Sequence, residues 1–165
     1  MSKGLIALFI WSSGCLLLLT AVAKLISISG SARVLDTSDP IFSIPFRQSL
    51  GICALAELSV AAVCLFVSNR ILQAGLIALL ATNFVLYRFG LYWVGYGSAC
   101  PCLGNFTDAL HIAPHVADTA MKAILVYLFV GGYGILFCCF YRCRIASVCL
   151  PSAWTDLATC ELHNY

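Results

Sequence analysis

The stretch that decides the fold is GLIALFIWSSGCLLLLTAVAKLISI, residues 4–28, in which Lys24 is the one charged side chain. A segment of about 20 apolar residues is long enough to cross the hydrocarbon core of a bilayer. The run Leu16-Leu17-Leu18-Leu19 lacks the alternation of a barrel strand, and a backbone in lipid must satisfy its own hydrogen bonds. The sequence therefore predicts a transmembrane helix here.

Three further apolar runs are predicted to span the membrane, at about residues 49–67, 71–94 and 119–141. The chain of 165 residues is 62% hydrophobic and 10% charged, with a mean hydropathy of +0.98, whereas soluble domains carry about 25% charged residues. We expect an all-α, polytopic membrane four-helix bundle formed by residues 1–141, followed by a tail of residues 142–165. Ala21-Val22-Ala23 is like a signal-peptidase site, but the apolar run continues beyond it, which favours an uncleaved first helix.

The orientation is predicted from the basic residues near the span ends, because these are enriched on the cytoplasmic side. The segment that joins the last two spans has no Lys or Arg between Gly95 and Asp118, and the first connection has two. The other side of the bundle has four, namely Lys3, Arg70, Arg142 and Arg144. Both termini are therefore predicted to be cytoplasmic, with the two longer connections outside.

Cys100-Pro101-Cys102 lies in the second outer connection. Two residues that are two positions apart are separated by about 6.6–7.2 Å in extended chain, and a disulfide needs Cα atoms at roughly 4.4–6.8 Å. The chain would have to bend at Pro101, and a bridge in so small a ring should be strained. Strained, exposed disulfides are the labile and catalytic ones. Cys100 and Cys102 are thus the candidate catalytic residues of a thiol–disulfide reaction.

Metal binding is the competing interpretation of the same segment. Thiolates select soft ions such as copper(I) or zinc, and Cys100 and Cys102 are followed by His111 and His115. A zinc site usually separates its thiols by two to four residues. Pro114 also lies between the two histidines, so they do not share a regular helix face.

Four ionisable residues fall within or beside the predicted spans: Lys24, Glu57, Arg88 and Lys122. Such residues are costly in lipid and are usually functional. We expect Glu57 to pair with Arg88 inside the bundle, with Lys24 and Lys122 nearby; both lysines are also shallow enough for their flexible stems to reach the membrane surface. Together they would form a polar cluster beneath the cysteine segment, either holding a quinone or favouring the thiolate form of a cysteine. The simpler alternative is an ion pair that only fixes helix packing.

The chain resembles the MauE/DoxX-like superfamily of small four-helix membrane proteins, which includes the methylamine utilisation protein MauE. The resemblance covers residues 1–141 and rests on Lys24, Glu57, Arg88 and the segment Cys100-Pro101-Cys102-Leu103-Gly104. That segment is similar to the family's Cys-x-Cys-aromatic-Gly motif, with Leu103 in the place of the aromatic residue. The resemblance implies support of disulfide formation for periplasmic partners, or quinone-linked sulfur oxidation.

The leading hypothesis is a bacterial inner-membrane protein that exchanges electrons with a periplasmic thioredoxin-like protein or substrate, with a quinone as the candidate cofactor. Quinone reductases of the DsbB type also have four spans, but they carry a thiol pair in each outer connection. Here the first connection, residues 29–48, has no cysteine, so a second pair would have to come from Cys53 or a partner. A copper- or zinc-handling protein and a non-catalytic assembly subunit are the alternatives.

Overall fold

The computed structural model describes residues 3–29, 38–39, 41, 43–95 and 114–149. These residues form four helices: α1 (Lys3–Ile28), α2 (Phe46–Phe66), α3 (Arg70–Trp93) and α4 (Pro114–Cys149). Each helix contains a segment that is long and apolar enough to cross a membrane, and this part of the chain has no β-strand. The predicted all-α, four-span architecture is confirmed.

The boundaries of two helices differ from those expected from hydropathy. Helix α2 begins at Phe46 instead of Ser49, directly after Pro45. Helix α4 begins at Pro114 and continues to Cys149, beyond its membrane-spanning part, which ends at Tyr141. Proline suits the first position of a helix because its missing N–H would have no partner there. Hydropathy marks the apolar core of a helix, so it misses polar turns at either end.

The turn between α2 and α3 is fixed by two polar side chains. The Asn69 side chain caps α3 by accepting a hydrogen bond from the Leu72 N–H at 3.0 Å. The buried Gln73 amide donates to carbonyl groups of the last turn of α2, including that of Cys64 at 3.0 Å and that of Val67. These carbonyls have no partner within their own helix. Gln73 therefore satisfies carbonyls at the end of α2 and ties that end to the start of α3.

Helices α1 and α2 pack along most of their length, as do α3 and α4. A Cβ atom added at Gly132 of α4 would lie 3.1 Å from the backbone nitrogen of Ala78 on α3, so a larger residue there would push the two helices apart. Small residues permit such close approach between membrane helices. Apolar side chains fill the centre of the bundle, among them Ile10, Leu17, Ile77, Leu80 and Leu128.

The outside of the described bundle is apolar, while several polar side chains are buried inside it. Leu8, Leu19 and Phe66 are more than two-thirds exposed, as expected for residues that face lipid. The buried polar side chains within the helices are Ser13, Thr20, Lys24, Ser27, Glu57 and Gln73. Polar residues inside a membrane bundle point to a functional interior.

Candidate functional site

The relative position of α1 and α2 sets the geometry of the site. A Cβ atom added at Gly51 would lie 3.8 Å from the Ile28 side chain, and one added at Gly14 would lie 3.1 Å from Cβ of Cys64. The two helices are therefore antiparallel, and α1 ends level with the second turn of α2. We call this end of the bundle, where α1 and α3 finish and α2 and α4 begin, the loop end.

This register brings Lys24 of α1 beside Glu57 of α2, and the two side chains form a salt bridge. Lys24 is 3% exposed and Glu57 is 1% exposed. The hydroxyl of Thr20, one turn before Lys24, donates to the second carboxylate oxygen of Glu57 at 3.2 Å. The ammonium nitrogen also lies 5.2 Å from the centre of the Phe84 ring on α3, a distance at which a cation is attracted to the ring face.

The predicted pairing of Glu57 with Arg88 is wrong. Arg88 instead donates to Asp118 of α4 at 2.7 Å, and Lys122 contacts the other oxygen of Asp118 at 2.7 Å. Asp118 lies one turn inside α4, which begins at Pro114, and its side chain bridges α3 and α4. Lys122, four residues after Asp118, was the sequence signal for this contact.

Lys24 does not extend to the membrane surface, although its depth in the predicted span would have allowed it. A lysine near the end of a span can usually reach the interface with its flexible stem. Here the end of α1 lies level with the second turn of α2, so neighbouring helices enclose the side chain. Lys122, by contrast, has a side chain that is 62% exposed. The two lysines, treated alike from the sequence, have different surroundings.

A cavity of about 240 Å³ lies between the four helices in the half of the bundle next to the loop end. Three of the four predicted polar residues line it, Lys24, Glu57 and Arg88, whereas Lys122 is not among its lining residues. Most of the wall is apolar and comes from all four helices; it includes Leu17, Leu50, Phe84, Met121, Leu125 and Leu128. The predicted polar cluster thus corresponds to one wall of an otherwise apolar pocket.

Cys53 also lines the cavity. It is a free, partly buried thiol of α2, one turn before Glu57. In the sequence it differs little from the other cysteines of the spans, although its position near the start of α2 set it slightly apart. Which cysteines face the cavity depends on the rotation of each helix, so the pattern of apolar residues could not single out Cys53.

Asp39 supports the site from the connection before α2, and the sequence did not reveal it. It is 0% exposed. Its carboxylate accepts hydrogen bonds from the Tyr87 hydroxyl at 2.7 Å, the Ile41 N–H at 2.8 Å and the Ser49 hydroxyl at 3.3 Å. These contacts tie the residues before α2 to α3. They also hold Ile44, which lines the cavity, over the loop end.

The segment with the candidate catalytic residues Cys100 and Cys102 lies outside the described residues, as does His111. The structure does describe the residues that flank this segment: Gly95, with a positive φ of 76° after α3, and Pro114 at the start of α4. His115 is exposed on the first turn of α4. Within the described ranges, no three His, Cys, Asp or Glu side chains group as metal ligands would.

Both flanks of the cysteine segment are at the loop end, the same end as the cavity. The four described helices are each long and apolar enough to cross a lipid bilayer, as expected for a multi-pass membrane protein. Comparisons with protein-family models, with curated proteins and with solved structures found no match to this chain.

Proposed function

We propose that this chain is a thiol–disulfide protein of a bacterial inner membrane, with the loop end on the periplasmic side. Cys100 and Cys102 would form a disulfide that exchanges with a thioredoxin-like or substrate protein. The observation that carries the proposal is the cavity at the loop end. It is lined by a buried ion pair and a thiol, directly beneath the point where the cysteine segment leaves α3.

The exchange takes place in two steps, and the total numbers of thiols and electrons do not change. A thiolate of the reduced partner attacks the Cys100–Cys102 disulfide and forms a mixed disulfide, which releases one of the two cysteines as a thiol. The second thiol of the partner then displaces the other cysteine. The partner leaves oxidised, and Cys100 and Cys102 remain as two thiols. A bilayer quinone would restore the disulfide by accepting two electrons and two protons, and would leave as the quinol.

Chain length supports a functional link between the cysteines and the cavity. Cys100 follows Gly95 by five residues, and an extended chain covers at most about 3.6 Å per residue. The thiol is therefore tethered within about 18 Å of the end of α3. Arg88, on the cavity wall, lies about 10 Å from Gly95 along the helix axis at 1.5 Å per residue. This tether is short enough to bring the thiols to the mouth of the cavity.

Single cysteine variants test the exchange. In Cys102→Ser or Cys100→Ser, the remaining cysteine should attack the disulfide of the oxidised partner and trap a mixed disulfide with it, because the second thiol that normally resolves this species is gone. Cys15→Ser is the matched control. It removes a cysteine that is exposed on the outer face of α1 and keeps both Cys100 and Cys102, so this variant should trap no mixed disulfide. Trapped species would be detected by non-reducing electrophoresis and mass spectrometry.

A redox titration with alkylation separates this function from metal handling. The bridge should be reducible well above the roughly −300 mV limit of structural disulfides. Free thiols at every potential, together with stoichiometric copper or zinc in the purified protein, would overturn the exchange reaction.

Labelling of intact cells with a membrane-impermeant thiol reagent tests the orientation. Cys100 and Cys102 should react after reduction. Reaction at Cys143 alone would show that the protein has the opposite orientation.

A further inference from the structure

We infer that the outer surface of α3 and α4 at the loop end binds the head group of an anionic phospholipid. The site is a cluster of three residues, Arg88, Asp118 and Lys122. It is distinct from the cavity, because neither Asp118 nor Lys122 lines that space. Binding there is independent of the proposed exchange reaction, since no cysteine takes part. Three properties of the cluster support it: its charge, its depth in the membrane and the apolar surface beside it.

The cluster has a net charge of +1, because two cations share one carboxylate. Arg88 donates to one oxygen of Asp118 at 2.7 Å, and Lys122 contacts the other oxygen at 2.7 Å. Neither cation has a second acidic partner among the described residues. The other described charged residues at the loop end are two cations and two anions: Lys24, Arg47, Asp39 and Glu57. These balance one another, so the positive charge of the cluster is not cancelled by its described surroundings.

The cluster is at the depth where lipid head groups meet the hydrocarbon core. The membrane-spanning part of α4 begins at Asp118, and that of α3 ends at Trp93. At 1.5 Å per residue, Arg88 and Lys122 are about 6–8 Å inside their spans. Lys122 contacts a carboxylate that is one turn nearer the loop end, so its ammonium group points towards the membrane surface. An excess charge at this depth is costly unless an anion or water accompanies it.

The phosphate of an anionic lipid supplies that anion. A lysine ammonium has three N–H groups and an arginine guanidinium has five, so both side chains keep donors after their contacts with Asp118. Because the two cations are held beside the same carboxylate, one phosphate group can accept hydrogen bonds from both. Basic pockets between transmembrane helices bind acidic head groups in this way.

The surface next to the cluster favours a lipid over a soluble anion. Val85 is one turn deeper in the membrane than Arg88 and is 39% exposed, and Val126 is one turn deeper than Lys122 and is 61% exposed. Both side chains lie within the membrane-spanning segments. The acyl chains of a bound phospholipid would cover them, whereas free phosphate would leave them in contact with bulk lipid.

Native mass spectrometry of the full-length protein in a neutral detergent measures the binding of single lipid molecules. The probes are phosphatidylglycerol, phosphatidylcholine with the same acyl chains, and inorganic phosphate. We expect phosphatidylglycerol to bind at least about fivefold more tightly than phosphatidylcholine, whose head group has no net charge. An excess of inorganic phosphate should not displace it. Equal binding of the two lipids, or displacement by phosphate, would overturn the inference.

Lys122→Met tests the location, because it removes the excess charge from a side chain that is 62% exposed. It should weaken the binding of phosphatidylglycerol about fivefold. Arg70→Met is the matched control: it removes one positive charge from the exposed start of α3, at the opposite end of the bundle, and should leave the tightest lipid site unchanged. An unaltered thermal transition temperature establishes that both variants are folded. Unchanged affinity in Lys122→Met would refute the site.

Asp118→Asn should have the opposite effect on lipid affinity. It removes the shared carboxylate and raises the charge of the cluster from +1 to +2, so phosphatidylglycerol should bind about fivefold more tightly. A cluster that served only to tie α3 to α4 would lose stability in this variant and gain no affinity. Unchanged or weaker binding by the folded Asp118→Asn protein would therefore contradict the inference.

Discussion

The sharpest prediction concerns the buried salt bridge between Lys24 and Glu57. Lys24→Met would leave the Glu57 carboxylate without its counter-charge at a position that is 1% exposed. Glu57→Leu would do the same to the ammonium group of Lys24, which is 3% exposed. Neither charge can be screened by water there. Loss of one partner of such a pair typically costs about 3–5 kcal/mol of folding free energy.

The double variant Lys24→Met/Glu57→Leu should be far more stable than the sum of the single effects implies. Replacement of a buried ion pair by apolar residues of similar volume is often neutral or stabilising. We therefore expect a coupling energy of at least about 3 kcal/mol between the two positions. Lys122→Met is the matched control: its side chain is 62% exposed, and loss of such a surface pair costs about 0–1 kcal/mol.

The assay is equilibrium unfolding in mixed detergent micelles, followed by circular dichroism, for the wild type, both single variants and the double variant. A cycle with Glu57→Leu and Arg88→Met should give a smaller coupling than the Lys24 cycle, because Arg88 is paired with Asp118. The reasoning would be refuted if Arg88→Met restored the stability of Glu57→Leu and Lys24→Met did not. That result would reinstate the pairing that was expected from the sequence.

Two further predictions concern helix packing and the residues before α2. Gly132→Leu should lower the thermal transition temperature, because its Cβ would lie 3.1 Å from the Ala78 backbone. Gly134→Leu is the control and should change that temperature little, since nothing lies within 4 Å of a Cβ added there. Equal losses in the two variants would contradict the close approach of α3 and α4. Tyr87→Phe removes the hydroxyl that donates to buried Asp39 at 2.7 Å and should cost about 1.5–3 kcal/mol of unfolding free energy, with faster protease cleavage before α2 as a second measure. An unchanged unfolding curve and cleavage rate would show that this bond does not hold the segment.

The tertiary structure decided which charged residues interact and which of them share a cavity. Glu57 and Arg88 lie at similar distances from the loop end along their helices, so the sequence predicted that they pair with each other. The pairing depends instead on how far α1 slides along α2, and contacts such as Ile28 with Gly51 set that register. Asp39 was hidden for a related reason: an aspartate in a polar connection is ordinary until the fold surrounds it.

The sequence by itself determined the four spans and the all-α class, because a bilayer leaves the backbone no other way to satisfy its hydrogen bonds. It also marked Lys24, Glu57 and Arg88, since a charge within an apolar run is conspicuous whatever the fold. It could not determine that Cys53 faces the same space, or that Lys24 is enclosed. Both depend on the rotation and register of helices whose apolar residues cover every face, and only packing fixes those two quantities.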